Sequence, residues 1–384
     1  QLDPVTMLTI CAAREALERA GISIKLVNRR ANTYRIEHIS ANTIGVYMGT
    51  GIGGAHSFLE NHYHPILARH KACLQELANE KSLDERARSV INRIVERMFH
   101  LGRVNPFVVS MLMPNAVSAC LGLKFSITGP NTTFALACAS GTAAIGHAYR
   151  AVKKGIVKVA LTGGAEYLND HYGYIFRGFD IARTLASGYD IPDKANCPFD
   201  VKHSGFLFSE GGAGLLVLEE LSHALGRGAP ILAEITGFAE TFEAHSIMRL
   251  SRDGREIERM IRMVLVESGL AEQDVQYINA HGTGTKNNDE TEASILFRCF
   301  GDKPLVNSTK SLLGHTIGAS GALEAIVTAL SIDSQTTHIS RNLREPILDL
   351  NFVTRSANFE INAALTQSFA FGGHNAAIAM KRFR

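Results

Sequence analysis

A strand-to-helix junction is written twice in this chain, and that repeat limits what it can fold into. Residues 134–150 read FALACASGTAAIGHAYR and residues 313–330 read LGHTIGASGALEAIVTAL, so Ala-Ser-Gly stands at 139–141 and again at 319–321. Each copy follows a short segment of β character and opens about three turns of small and apolar residues at helical spacing. Such an offset implies internal duplication of one α/β unit. The copies differ in chemistry: Cys138 precedes the first tripeptide and His315 lies just ahead of the second.

The rest of the chain reads as strands alternating with helices, an α/β class. LTICAAREALERAG (8–21) has helical spacing and a glycine stop. TIGVYMG (43–49) reads as a buried strand entering the loop GTGIGG. Further strands are predicted at 157–166, 214–221, 231–238, 275–282, 304–309, 366–371 and 376–383. Helices are predicted at 140–154, 254–269, 288–300 and 318–332. Residues 66–103 are charged and helical, predicted as two amphipathic helices packed on a surface. A boundary near 221–230 gives units 1–225 and 226–384 that share one core. A duplicated α/β half should open with a strand, whereas this chain opens at a helix. A segment ahead of residue 1 is therefore expected to be absent from it.

Composition narrows the class further. With 384 residues, 46% hydrophobic and 20% charged, the chain can bury a large core. Runs such as VALTGG, LLVLEE and AIVTAL fall short of the ~20 apolar residues a membrane helix needs. No signal peptide is visible, and a cytoplasmic protein is expected. A net charge of +2 gives no reason to expect nucleic acid. Six cysteines (11, 73, 120, 138, 197 and 299) without a C-x-x-C pair suggest free thiols in a reducing compartment. The histidines of NHYHPILARH (61–70) fit no standard metal spacing and read as a solvated helix face, so no metal is expected.

Four stretches carry candidate chemistry. Cys138 stands at a helix N-terminus, where unpaired N–H groups and the helix dipole favour thiolate; its pKa is predicted to fall below the free value of about 8.5. An inert core cysteine is the bland alternative. His281 ends a strand in His-Gly-Thr-Gly-Thr, at the carboxyl end where ligand sites on α/β sheets gather. A lone histidine there is otherwise a satisfied polar residue. NSTKSLLGHTIGASGALEA (307–325) adds Lys310, His315 and Glu324, with the lysine and glutamate able to pair on opposite sides of the histidine. Such a pair alone usually means a structural salt bridge. In QSFAFGGHNAA (367–377), Phe371 beside two glycines suits a movable gate or an amide donor for an oxyanion, unless the turn is only a hairpin with buried aromatics.

Together, ACASGTAAIGHA, NAHGTGTKNND, NSTKSLLGHTIGASGALEA and SFAFGGHNA resemble the β-ketoacyl-[acyl-carrier-protein] synthases of the thiolase superfamily, most closely the synthase II type. CPFD (197–200) and EGGAGLLVLEE (210–220) support the likeness, which spans nearly the whole chain apart from 66–103. It implies the thiolase fold: duplicated αβαβα layered halves about a pseudo-twofold axis, with the sulfur and one imidazole at corresponding ends of central helices. It also implies that Cys138 is the nucleophile that takes an acyl group from a phosphopantetheine thioester. His281 and His315, as neutral imidazoles, would stabilise the enolate left when malonyl-carrier protein loses carbon dioxide. The backbone N–H groups of Cys138 and Phe371 would form an oxyanion hole, Lys310 with Glu324 would support the histidines, and Phe371 would be the gate. Thr283 and Thr285 would hold the pantetheine arm, and Met113 would line the acyl pocket near a dimer interface.

The partners implied are an acidic acyl carrier protein, met by a basic patch among Arg69, Lys71, Lys153 and Lys154, and a second subunit. That subunit is either identical or a ketosynthase-like partner. No cofactor is implied beyond the phosphopantetheine of the carrier. Departures from the pattern are Ala370 in place of the usual glycine, His374 in place of threonine, an extra glycine in SEGGAG, and the length of 66–103. They keep a specialised polyketide or aryl-polyene ketosynthase open beside ordinary fatty-acid elongation.

Rival readings remain. GTGIGG (49–54) satisfies the dinucleotide fingerprint G-x-G-x-x-G, although no second strand with an acidic ligand follows. A CoA-dependent thiolase uses a second cysteine near the C-terminus; the last one here is Cys299, on a predicted helix. Synthases that start from acyl-coenzyme A replace one histidine by asparagine. A subunit that only sets chain length lacks the cysteine.

Overall fold

In the computed structural model, which describes residues 2–79, 85–99, 105–355 and 357–383, the repeat becomes two sheets of matching topology. The first sheet contains β1 (Ile44–Gly49), β2 (Asn131–Phe134), β3 (Val159–Tyr167) and β4 (Gly211–Glu219), in the order β2-β1-β3-β4. The second contains β5 (Glu234–Phe242), β6 (Tyr277–Asn279), β7 (Leu305–Asn307), β8 (Ala363–Phe369) and β9 (His374–Lys381), in the order β7-β6-β8-β9-β5. In both sheets three adjacent strands run parallel and the next strand is antiparallel to them. Strands β1–β4 thus correspond to β6–β9, and β5 is added beside β9.

The longer helices are α1 (Pro4–Arg19), α2 (His64–Ala78), α3 (Glu85–Phe99), α4 (Ala116–Phe125), α5 (Ser140–Lys153), α6 (Tyr174–Ile181), α7 (Arg255–Ser268), α8 (Lys286–Phe300) and α9 (Ser320–Ser334). Helices α5 and α9 lie between the sheets. The first packs on β1 and β3 and also on β5 and β9; the second packs on β8 and β4. Outside, α1 and α4 cover the first sheet, while α7 and α8 cover the second. With helices on both faces, β1 is buried along its whole length, which its uninterrupted IGVYMG pattern requires. The result is the five-layered thiolase fold that the resemblance implied.

Glycine makes the central crossing possible. A Cβ at Gly141 would lie 2.8 Å from the backbone nitrogen of Ala322, and one at Gly321 would overlap the Thr142 hydroxyl. The contacts are reciprocal because 141 and 321 are equivalent positions of the repeat. Interhelical approach this close tolerates no side chain.

Several boundaries differ from the sequence reading. FALA (134–137) is not a strand: β2 ends at Phe134, and a 3-10 turn, Ala137–Ala139, carries Cys138 into α5. Ala137 has φ +46° and its counterpart Ile317 has φ +49°, so both junctions turn through a left-handed residue that is not glycine. In α1 the helix starts at Pro4, capped by Asp3, whose carboxylate accepts from Val5 N and from Ser57 N. That cap contributes about 1 kcal/mol. Residues 64–78 and 85–99 form the expected helix pair, closed on Cys73, Val90 and Ile94; part of the 66–103 segment lies outside the described residues. One stretch, Ile317–Ser334, is apolar and long enough to match a membrane span by composition, contrary to the sequence reading. It includes α9, the central helix, which explains its hydropathy.

Candidate active site

The two junctions bring their distinctive side chains together. Cys138 is 4% exposed, and its Sγ lies 3.1 Å from Nε2 of His315. The strict counterpart of Cys138 in the repeat is Gly318, not His315, which sits three residues earlier. The sequence reading of equivalent helix ends needs that correction. Gly318 must be small because a Cβ there would strike Gly51 N and the Glu166 carboxylate.

Burial pushes the Cys138 thiol up to about 11, against the opposing influence of Lys310 and of the Phe371 backbone N–H, which is aimed at the sulfur. The expectation of a depressed pKa is therefore overturned. Helix-end amides do favour thiolate, but complete removal from water costs the anion more.

His281 lies two residues past the end of β6. The Glu292 carboxylate on α8 accepts from His281 N at 2.7 Å and from Gly282 N at 2.8 Å. The Lys310 ammonium donates to His281 O at 2.8 Å, lies 3.1 Å from His281 Nδ1, and pairs with Glu324. A charged lysine can only donate, so Nδ1 of His281 is the acceptor and Nε2 carries the hydrogen. The His281 and His315 rings stand 5.7 Å apart, nearly perpendicular. Both imidazoles are held well below their ordinary pKa, first by burial and then by Lys310. Burial lifts Glu324 to about 7, restrained by Lys310.

Thr283 and Thr285 lie on the turn after His281 with their hydroxyls 2.8 Å apart. Met113 is not part of the cluster: it follows a short helical turn, Val108–Leu112, and is 47% exposed. Cys299 lies in the apolar cluster of the second sheet's outer helices, away from Cys138, which removes the second thiol a degradative thiolase needs. Among the described residues no group of three or more side chains is arranged to hold a metal.

Sequence reading missed Glu166, Glu292 and Ser320. Glu166 accepts from Gly51 N, Ile52 N at 3.2 Å, Gly318 N at 3.1 Å and the Thr50 hydroxyl at 3.2 Å. Amides of GTGIGG that a dinucleotide phosphate would use are thus occupied by a carboxylate of the same chain, which rules against the fingerprint reading. The acid in GGAE was the available signal, since an acidic residue ending a buried strand demands donors.

Fold and centre together define a class: a condensing enzyme of thiolase fold with one cysteine and two histidines. Comparison with known proteins agrees. The family model "Beta-ketoacyl synthase, N-terminal domain" matches residues 1–224, and "Beta-ketoacyl synthase, C-terminal domain" matches residues 232–344. The 3-oxoacyl-[acyl-carrier-protein] synthase 2 of Synechocystis is 34% identical over all of this chain and 83% of its own length. A β-ketoacyl synthase from Burkholderia phymatum superposes with a TM-score of 0.80 at 28% identity, covering 100% of this chain and 83% of that one. The ishigamide ketosynthase/chain length factor gives 0.78 at 27% identity, with coverage of 100% and 83%. The chain belongs to the β-ketoacyl synthase family, in its synthase II branch. It is an acyltransferase, a β-ketoacyl-[acyl-carrier-protein] synthase of fatty-acid or polyketide chain elongation.

Proposed function

We propose that Cys138 is the acylated nucleophile of this enzyme, and that His281 and His315 are its hydrogen-bond donors toward the malonyl thioester. The observation that carries the reading is the 3.1 Å contact between Cys138 Sγ and His315 Nε2, with the His281 ring 5.7 Å from His315. In the first half-reaction the Cys138 sulfur attacks the acyl thioester, and the carrier's pantetheine leaves as a thiol with the proton Cys138 gives up. In the second, malonyl-carrier protein loses carbon dioxide and the resulting enolate oxygen is held by the two Nε2–H groups, each worth a few kcal/mol. The enolate carbon attacks the acyl-Cys138 carbonyl, whose oxyanion meets the backbone N–H groups of Cys138 and Phe371. Collapse expels the Cys138 thiolate, which regains a proton from solvent.

Lys310 and Glu324 fix the orientation of His281. Phe371 gates entry, with Thr283 and Thr285 beside the pantetheine path. No cofactor is required beyond the carrier's phosphopantetheine. Six free thiols fit a reducing cytoplasm. Partners are an acyl carrier protein and a second subunit; Lys154 and Lys71 are exposed basic candidates for the acidic carrier, whereas Lys153 is engaged with Tyr149 and Glu267. A heterodimer with a chain-length subunit is the second reading, favoured by likeness to a ketosynthase/chain length factor pair and by the helices α2 and α3.

Intact-mass spectrometry after incubation with a panel of acyl-carrier proteins tests the assignment. The protein should gain one acyl mass, and Cys138→Ala should gain none. Acylation that persists in Cys138→Ala would sink it.

A further inference from the structure

The repeat carries a second polar residue whose role differs between its two copies. Ser140 and Ser320 occupy equivalent positions, each at the first turn of a central helix. Both hydroxyls accept a backbone N–H from four residues earlier: Leu136 N at 2.8 Å and Thr316 N at 3.0 Å. In the first copy the Ser140 hydroxyl hydrogen goes to backbone carbonyls, Ala137 O at 2.7 Å and Thr50 O at 3.1 Å. In the second copy Ser320 Oγ instead lies 2.9 Å from Nδ1 of His315. We propose that Ser320 is a positioning residue that donates to His315 Nδ1 and thereby holds the ring in the Nε2–H tautomer facing Cys138.

This inference rests on the role proposed for His315 above. Its first support is donor counting. Ser320 accepts from Thr316 N, and the Thr316 hydroxyl, 2.9 Å away, has Ser320 Oγ as its partner. When the Thr316 hydroxyl donates, both lone pairs of the serine oxygen are taken and its one hydrogen is left for Nδ1, 2.9 Å away. The alternative tautomer would require Cys138 S–H to donate to Nε2. A thiol is a weak donor beside a hydroxyl, so the O–H···N arrangement prevails. The second support is parallelism. Lys310 can only donate to Nδ1 of His281 and so fixes Nε2–H there. Ser320 does for one imidazole what Lys310 does for the other, using a neutral group. Both rings then present N–H to the same thioester oxygen, and neither presents a lone pair that would repel it.

Tautomers are read by two-bond ¹H–¹⁵N correlation on protein labelled at histidine, with His315→Gln used to assign the signals. Wild-type protein is expected to show His315 protonated at Nε2 and bare at Nδ1. In Ser320→Ala the Nδ1–H form should grow, and kcat for malonyl-carrier decarboxylation should fall about five- to tenfold, the worth of one hydrogen bond, with KM unchanged. Ser320→Thr, which keeps the hydroxyl, should restore both. Wild-type His315 protonated at Nδ1 would overturn the proposal, as would a Ser320→Ala protein with unchanged tautomer and rate. Should Ser320→Ala not fold, the wild-type spectrum alone decides. The spectrum needs no turnover, so failure of Cys138 to take an acyl group would remove the proposed function while leaving the tautomer assignment readable.

Discussion

At Cys138 two influences compete. The Phe371 amide and the Lys310 charge favour thiolate, while full enclosure and Glu166 favour thiol. Raising the thiol from 9.0 to about 11 corresponds to roughly 3 kcal/mol, so enclosure wins. The resting sulfur is therefore a thiol, and its proton passes to the pantetheine sulfur that leaves when Cys138 attacks a thioester. Alkylation by iodoacetamide, followed by mass, should accelerate with pH toward a midpoint near 11. A plateau already reached by pH 8 would contradict this. The linkage sign follows: between pH 9 and 11 the folded state keeps a proton that the unfolded state has lost. Stability from this group is thus complete below 9 and declines as pH rises through 11. Residue identities at the centre were legible because cysteine, two histidines, lysine and glutamate sit in recognisable stretches. The neutral histidines followed from the resemblance, but the protonated Cys138 thiol did not, since its burial is set by the opposite half of the chain. Ser320 and Glu166 were missed for a related reason: a serine in a helix start reads as a cap, and its partner is visible only in three dimensions.

Elements show where periodicity informs and where it fails. Helices α5 and α9 and the buried strand β1 follow from their patterns, with ends off by one or two residues. FALA failed because four apolar residues look alike in a strand and in a tight turn; the left-handed Ala137 leaves no mark in composition. Gly141 and Gly321 of the two Ala-Ser-Gly junctions face each other's helices. Gly321→Ala should then cost about 1–3 kcal/mol of stability by overpacking. It should also slow acyl transfer to Cys138, because α5 and α9 set the distance between sulfur and imidazole. Gly178→Ala is the control: on α6, with open space around its position, it should be neutral or mildly stabilising. Urea unfolding of the pair measures the difference. Equal midpoints would refute close packing as the constraint on this crossing.

At the scale of the whole molecule, β2 is one of the four edge strands of the two sheets among the described residues. Val46 N donates to Pro130 O and Thr50 N to Phe134 O, so even-numbered residues of β2 face β1 while Asn131 and Thr133 direct their backbone groups outward. An exposed strand edge of this kind is a template for pairing. Val109, Met113 and Leu123, on or just before the helix α4 that packs on β2, are exposed apolar side chains. These features support a dimer in which two β2 strands meet and Met113 of each chain is brought toward its partner, consistent with the exposure of Met113 in a single chain. Light scattering on the purified protein should give twice the chain mass. Thr133→Pro removes an outward N–H without touching the ladder to β1, and proline is tolerated on edge strands. It should convert the dimer to single chains while the far-ultraviolet circular dichroism stays unchanged. Thr132→Pro, whose N–H faces β1, should instead lower thermal stability, by about 3 kcal/mol on the scale of a lost ladder bond and ring clash. A Thr133→Pro protein that remains at twice the chain mass would move the subunit contact away from this edge.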